Sequence, residues 1–172
     1  QRANDRLLFF SEDHPLQVIP LDQEILTIGR DDALDIVLHG KRISRQHLRV
    51  ECKPDGNIYV TDLDSTNGTW MSDTLLVPDT QVLWETHEII RIGNYWMSFE
   101  QGTRMFDPLI GGMLEDTRAL VGTIIKNYRI DRYLGQGSLA SVYKATETPL
   151  DRPVALKIMH PHLVIQPVMK QR

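Results

Sequence analysis

Three short runs, Gly29-Arg30, Ser44-Arg45-Gln46-His47 and Thr66-Asn67-Gly68, carry side chains suited to holding a phosphate ester on a peptide. Arg30 offers a planar fork that donates two parallel hydrogen bonds, which a lysine cannot reproduce. Ser44 and Thr66 add hydroxyl donors, Arg45 adds a second cation, and Asn67 adds an amide able to hold a peptide backbone. A phosphorylated side chain carries about −1.5 to −2 charges and three acceptor oxygens, so this donor set fits one in sign and in kind. Each run falls where one expected strand ends and another begins.

The charge distribution agrees with a small anionic ligand. The net charge of −4 divides unevenly: residues 1–100 hold 9 Lys+Arg against 17 Asp+Glu, and residues 101–172 hold 10 against 6. Five of the nine positive residues in the acidic part lie between Arg30 and Arg49. A basic island in an acidic body favours a defined anion and argues against nucleic acid, which meets broad basic faces. Lys41 and Arg42 read as a solvated loop, or as a reader of an acidic or phosphorylated neighbouring position. No apolar run approaches the roughly 20 residues that span a bilayer, so no membrane contact is expected from this segment. Cys52 is the single cysteine. It sits in an alternating strand pattern as a small apolar residue, and a reducing, cytoplasmic setting is the expectation. The chain starts at Gln1 with no initiator Met, and it is expected to be a piece of something longer.

The elements that must position these residues are strands. Short apolar or alternating stretches recur at 7–10, 16–19, 24–28, 36–38, 47–52, 58–63, 69–77, 82–84, 89–92 and 95–99. Residues 47–52 alternate Leu48, Val50 and Cys52 against His47, Arg49 and Glu51, the period of a half-buried strand. Pro54-Asp55-Gly56-Asn57 and Gly93-Asn94 are turn signals. About ten to eleven short strands with no helical period predict a mainly β chain, a sandwich or barrel. Trp70, Trp84 and Trp96 read as packing anchors.

These spaced runs make residues 5–100 resemble a forkhead-associated (FHA) domain. That family's signature is Gly-Arg, then Ser-x-x-His, then Asn-Gly, and no signature position departs from it here. The resemblance implies a β-sandwich that binds phosphothreonine peptides through loops at one end. It implies that Arg30, Ser44, Arg45 and Thr66 meet the phosphate and that Asn67 holds the peptide main chain. Gly29 and Gly68 are expected to permit loop turns that a β-carbon would obstruct. The resemblance also implies that His47 props the loops by internal hydrogen bonding without touching phosphate. No cofactor is implied for this domain.

Residues 101–127 show no sustained period and read as a linker. Beyond it, Tyr133-Leu134 leads into Gly135-Gln136-Gly137-Ser138-Leu139-Ala140-Ser141-Val142. A Gly-x-Gly alone is shared by dinucleotide folds and kinases. A dinucleotide loop is followed by a helix and by an acidic residue about 20 positions on. Here Ser141–Ala145 reads as strand, and Ala155 stands at that distance from Gly135. Pro153-Val154-Ala155-Leu156-Lys157-Ile158 then matches the kinase Val-Ala-Ile-Lys strand. Residues 128–172 therefore resemble the start of a serine/threonine protein kinase small lobe, of the bacterial type. The resemblance implies ATP and Mg²⁺ for the complete parent. It places Gly135, Gly137 and Ala140 over the ATP phosphates and Leu134, Val142 and Ala155 around the adenine. It pairs Lys157 with the α/β-phosphates. Ala140 replaces the third glycine, which stiffens the loop.

No His-Arg-Asp catalytic loop and no Asp-Phe-Gly metal ligand occur in the chain, so no catalytic residue and no metal ligand is assigned. The 172 residues alone are expected to be inactive. The expected partners are phosphothreonine-containing proteins, including the protein's own phosphorylated linker, where Thr117 follows Glu115-Asp116, or its kinase domain. The alternative expectation is a non-catalytic FHA adaptor with an inert kinase-like tail.

Overall fold

The computed structural model describes residues 5–101, 120–137 and 140–159. These divide into two compact units, the first carrying β1–β11 and the second β12–β15.

In the first unit the alternation seen in the sequence becomes a two-sheet sandwich. One sheet runs β2-β1-β11-β10-β7-β8 and the other β4-β3-β5-β6-β9. The strands are β1 (Arg6–Ser11), β2 (Gln17–Pro20), β3 (Ile25–Gly29), β4 (Ile36–Val37), β5 (Leu48–Cys52) and β6 (Ile58–Asp62). They continue with β7 (Trp70–Met71), β8 (Thr74–Leu75), β9 (Gln81–Trp84), β10 (Ile90–Ile92) and β11 (Tyr95–Glu100). All pairs are antiparallel except β3–β4, where Ile28 and Gly29 align in parallel with Ile36 and Val37. Leu48, Val50 and Cys52 turn inward while Arg49 and Glu51 face out, as a period of two requires. From the other sheet Ile90, Ile92, Tyr95, Met97 and Phe99 meet them in one apolar core. Trp84 sits edge-on to Phe99 with ring centroids 4.8 Å apart, and its Nε1–H donates to the Glu88 carbonyl at 2.9 Å. That bond satisfies the polar end of a ring that is otherwise wholly buried.

The stretch 69–77, expected as one strand, is the hairpin β7–β8. Met71 pairs with Thr74 across a two-residue turn in which Ser72 takes φ +55°. No glycine marks this turn, so a period-two reading runs straight through it.

The second unit is one antiparallel sheet, β12-β13-β14-β15. Its strands are β12 (Ile124–Ile125), β13 (Tyr128–Gln136), β14 (Ala140–Glu147) and β15 (Arg152–Met159). β12 lies inside the stretch expected as linker. Ile124 and Ile125 pair with Arg129 and Tyr128, and Leu120 packs on the sheet's small core. The unit therefore starts no later than Leu120. A two-residue strand closed by a tight turn is too short to show an alternation in sequence. Ile130, Tyr143, Ala145 and Leu156 form the core on one face. Among the described residues no helix is long and apolar enough to cross a membrane.

Candidate functional site

The three runs converge at one end of the sandwich on the loops β3–β4, β4–β5 and β6–β7. The chain is stitched there by backbone bonds. Arg30 N–H donates to Ser44 O at 2.9 Å and Asp31 N–H to Arg45 O at 3.1 Å. His47 N–H reaches Ile28 O at 2.9 Å, and Leu63 N–H reaches His47 O at 2.9 Å.

Gly29 is required here by a close approach. A β-carbon on it would stand 2.2 Å from the Arg45 carbonyl oxygen and 2.8 Å from Leu34 Cδ1. The expected reason was a turn, but the constraint is contact between two loops far apart in sequence. Gly68 does meet its expected reason: its φ is +83°, and a β-carbon would also press Leu75 Cδ1 at 2.7 Å.

His47 is fully buried and ties two loops together. Its Nδ1 accepts the Ser44 N–H at 3.1 Å, and its Nε2 lies 3.0 Å from the Gly68 carbonyl. A backbone N–H only donates, so Nδ1 carries no proton. The hydrogen is on Nε2 and points at Gly68 O, and the ring is neutral. Burial lowers the imidazole's proton affinity below the usual histidine range, against weaker opposing effects of the Gly68 carbonyl and Asp62.

The remaining side chains sit on this frame. Arg30 is exposed and donates from Nε to Ile43 O at 3.2 Å, which fixes the guanidinium while leaving its terminal nitrogens for a ligand. Ser44 Oγ accepts the Thr66 N–H at 2.9 Å, so the hydroxyl proton stays available for an outside acceptor. Arg45, Thr66 and Asn67 are exposed, and Asn67 Nδ2 donates to Arg42 O at 3.3 Å. All five expected contact residues thus lie on adjoining loops.

Asp62 was not singled out from sequence. It is 1% exposed, and its carboxylate accepts the Ser65 N–H at 3.0 Å, Ser65 Oγ at 2.5 Å and Thr69 Oγ1 at 2.6 Å. This buried anion shapes the loop that presents Thr66 and Asn67. The readable signal was an aspartate ending an apolar strand with serine three residues on, the pattern of a side-chain-capped turn.

In the second unit the pairing register lines up the expected nucleotide-contacting residues. Gly135 is opposite Val142, and Val142 is opposite Lys157. Ala140, Val142, Ala155 and Lys157 share the face opposite the core cluster, because directly paired residues project together. Gly137 N–H donates to Ala140 O at 2.8 Å and closes the hairpin. Leu134 is buried at an irregularity between Tyr133 and Gly135. Ser138, Leu139 and Thr117 lie outside the described residues.

Residues 26–93 match the family model described as the FHA domain, and this segment of the chain is an FHA domain. The chain is similar to the FHA domain-containing protein PS1 of Arabidopsis thaliana, 32% identical over 96 residues, covering 51% of this chain and 6% of that protein. It is also similar to the serine/threonine-protein kinase RAD53 of Saccharomyces cerevisiae, 25% identical over 174 residues, covering 83% of this chain and 21% of the kinase. A solved structure of Rad53 residues 1–466 in complex with AMP-PNP matches with a TM-score of 0.50 at 25% identity, over 90% of this chain and 43% of that one. The FHA domain of CT664 from Chlamydia trachomatis shares the fold at a TM-score of 0.51 and 22% identity, over 57% of this chain and 99% of that one. The chain therefore spans only a small part of the curated relatives it matches.

Proposed function

We propose that the first unit binds phosphothreonine peptides. The observation that carries this is the fixed Arg30 guanidinium, anchored through Nε alone, beside the Ser44 hydroxyl whose lone pair is already taken by Thr66 N–H. The pair offers several N–H donors and one O–H donor from adjoining loops. Exposed Arg45 and Thr66 lie on the same loops, and Asn67 is the group that holds the peptide main chain. Membership of this segment in the FHA family supports the same ligand.

The test is titration with matched phosphothreonine, phosphoserine and unmodified peptides. Losing one charge-assisted partner costs about 1.5–3 kcal/mol, so Arg30→Ala is expected to weaken phosphothreonine binding roughly tenfold to a hundredfold or more. Equal affinity of that variant and the wild type would remove Arg30 from the site.

The second unit supports a further reading, as the start of a serine/threonine kinase small lobe. The aligned Gly135, Val142 and Lys157 are its geometric support. The similarity to a named serine/threonine-protein kinase over 83% of this chain agrees with it. In a complete parent, Gly135, Gly137 and Ala140 would cover the ATP phosphates and Lys157 would bind them. Leu134, Val142 and Ala155 would flank the adenine. The parent would then be a kinase addressed to phosphothreonine-bearing proteins, in the cytoplasm, or to its own phosphorylated linker around Thr117. Kinase assays on the full-length parent and its Lys157→Met variant test this: loss of phosphoryl transfer is expected. An inactive wild type would favour a non-catalytic adaptor.

A further inference from the structure

We propose that Asn67 and Gly68 form a self-modifying site. The Gly68 backbone nitrogen attacks the Asn67 side-chain amide, and the aspartate or isoaspartate that results switches the peptide-reading loop off. The chemistry belongs to the loop itself; its effect on binding rests on the phosphopeptide reading of the first unit.

The chain has five asparagines, and only Asn67 is followed by glycine. Asn4, Asn57, Asn94 and Asn127 precede Asp5, Ile58, Tyr95 and Tyr128, whose side chains crowd the attacking nitrogen. Asparagine is a thermolabile residue, and a glycine after it, lacking a β-carbon, leaves that nitrogen open. Asn67 is exposed, and among the described residues its amide makes one long bond, from Nδ2 to Arg42 O at 3.3 Å. Gly68 N–H donates to no described residue, so a base in water can take its proton. The nitrogen then forms a bond to Asn67 Cγ while the Cγ–Nδ2 bond breaks, and Nδ2 leaves as ammonia after taking a proton from water. A cyclic imide closes, and a water molecule opens it at either carbonyl. Cleavage of the new Cγ–N bond leaves aspartate. Cleavage of the original peptide bond leaves isoaspartate, whose main chain runs through the former side chain. Water is the sole co-reactant, and nothing is oxidised or reduced.

Both products disable the loop. The amide that donates to Arg42 O becomes a carboxylate, which accepts only and so faces another acceptor. It also brings a negative charge to the loops that receive a phosphate on Arg30 and Ser44, and like charges repel. Isoaspartate does more. It inserts one carbon into the main chain just before Gly68, whose carbonyl lies 3.0 Å from His47 Nε2. His47 is fully buried, and its Nδ1 is held by the Ser44 N–H, so the ring does not follow a displaced carbonyl. Its N–H would be left unpaired in the interior, and the tie between the two loops would fail.

The experiment incubates the fresh, folded chain in warm, mildly alkaline buffer. Peptide mapping by mass locates each NH2 replaced by OH, and fluorescence anisotropy follows affinity for a labelled phosphothreonine peptide. Conversion is expected to run well ahead at Asn67, with Asn57, Asn94 and Asn127 as internal controls. The converted chain should bind the peptide about tenfold more weakly or worse, the worth of one lost hydrogen bond and one added like charge. Asn67→Asp, the first product made directly, should show that weakening without incubation. Asn67→Gln, which would need a larger ring to react, should gain no mass at this position and keep through the incubation the affinity it began with. The isoaspartate fraction, separated by chromatography, should melt below Asn67→Asp, because it alone displaces Gly68 from His47. Conversion no faster at Asn67 than at the control asparagines, in a chain that binds phosphothreonine normally, would overturn this inference alone. A fully converted chain with unchanged affinity would do the same. No phosphothreonine binding by the fresh chain would overturn the switch together with the proposed function.

Discussion

The first unit closes 21 described side chains between two sheets, whereas the second gathers four on one face of a single sheet. Both carry glycines and cations on neighbouring strands or loops. They differ in what stands behind those groups. In the first, the loops are fixed by buried polar side chains, His47 and Asp62, each multiply bonded and seated over a closed core. A satisfied buried network of this kind holds one geometry, because every alternative leaves a polar group unpaired. In the second, the residues in register from Gly135 to Lys157 lie on the sheet face opposite that unit's four-residue core cluster, aligned by the strand pairing. A binding surface that must exist before its ligand arrives is built in the first way.

The largest test of that contrast is Tyr143→Ala. Tyr143 is fully buried and packs edge-on against Tyr133 with centroids 5.6 Å apart. Truncating a buried aromatic costs about 3–5 kcal/mol, a large part of what a small core supplies. Amide exchange in 140–147 is expected to lose its protection while 48–52 and 58–62 keep theirs. Loss of protection in both units together would show a single cooperative body and end the comparison.

Gly29→Ala comes next and strikes the first unit where it meets its ligand. The new methyl would stand 2.2 Å from a backbone carbonyl, so one loop must move. Overpacking of this kind costs about 1–3 kcal/mol. The displaced neighbour is Arg30, and phosphothreonine affinity should fall more than about tenfold. Gly56→Ala is the control: a β-carbon there meets nothing within 4 Å, and only the strain of φ +91° remains. It should lower the melting temperature modestly and leave binding as it was. Equal binding by Gly29→Ala and wild type would mean that the loop contact does not position Arg30.

The contrast also explains which features could be read from residues alone. The runs at Gly29, Ser44 and Asn67 are local, and an alternating pattern such as Leu48, Val50 and Cys52 needs only its own neighbours to declare a buried face. Features that arise from distant pairs were hidden. Gly29 is a glycine because of Arg45, and Asp62 matters because it meets Ser65 and Thr69. The turn at Ser72-Asp73 and the two-residue β12 stay hidden for another reason: each spans two residues, too few to repeat an alternation of two.

The smallest expected effect is the most specific to the buried network. His47 is held neutral by burial, with Nδ1 already committed to the Ser44 N–H. In the unfolded chain the imidazole titrates near its ordinary value, about 6.5. Between that value and the lowered folded one, the unfolded state binds more protons, so stability rises with pH. This contribution is fully present above about pH 6.5 and is lost as the pH falls toward the folded value, by at most about 1.4 kcal/mol per pH unit. Peptide affinity is a poor readout, because the phosphate's own second pKa, about 6, falls in the same window. Thermal unfolding of the ligand-free first unit avoids that overlap. Its melting temperature should drop between pH 7 and pH 5.5 by more in wild type than in His47→Gln, which cannot take up the proton. Parallel pH profiles for the two proteins would show that the ring is not the group that senses acid, and that Ser44 and Gly68 are held together by something other than a neutral His47.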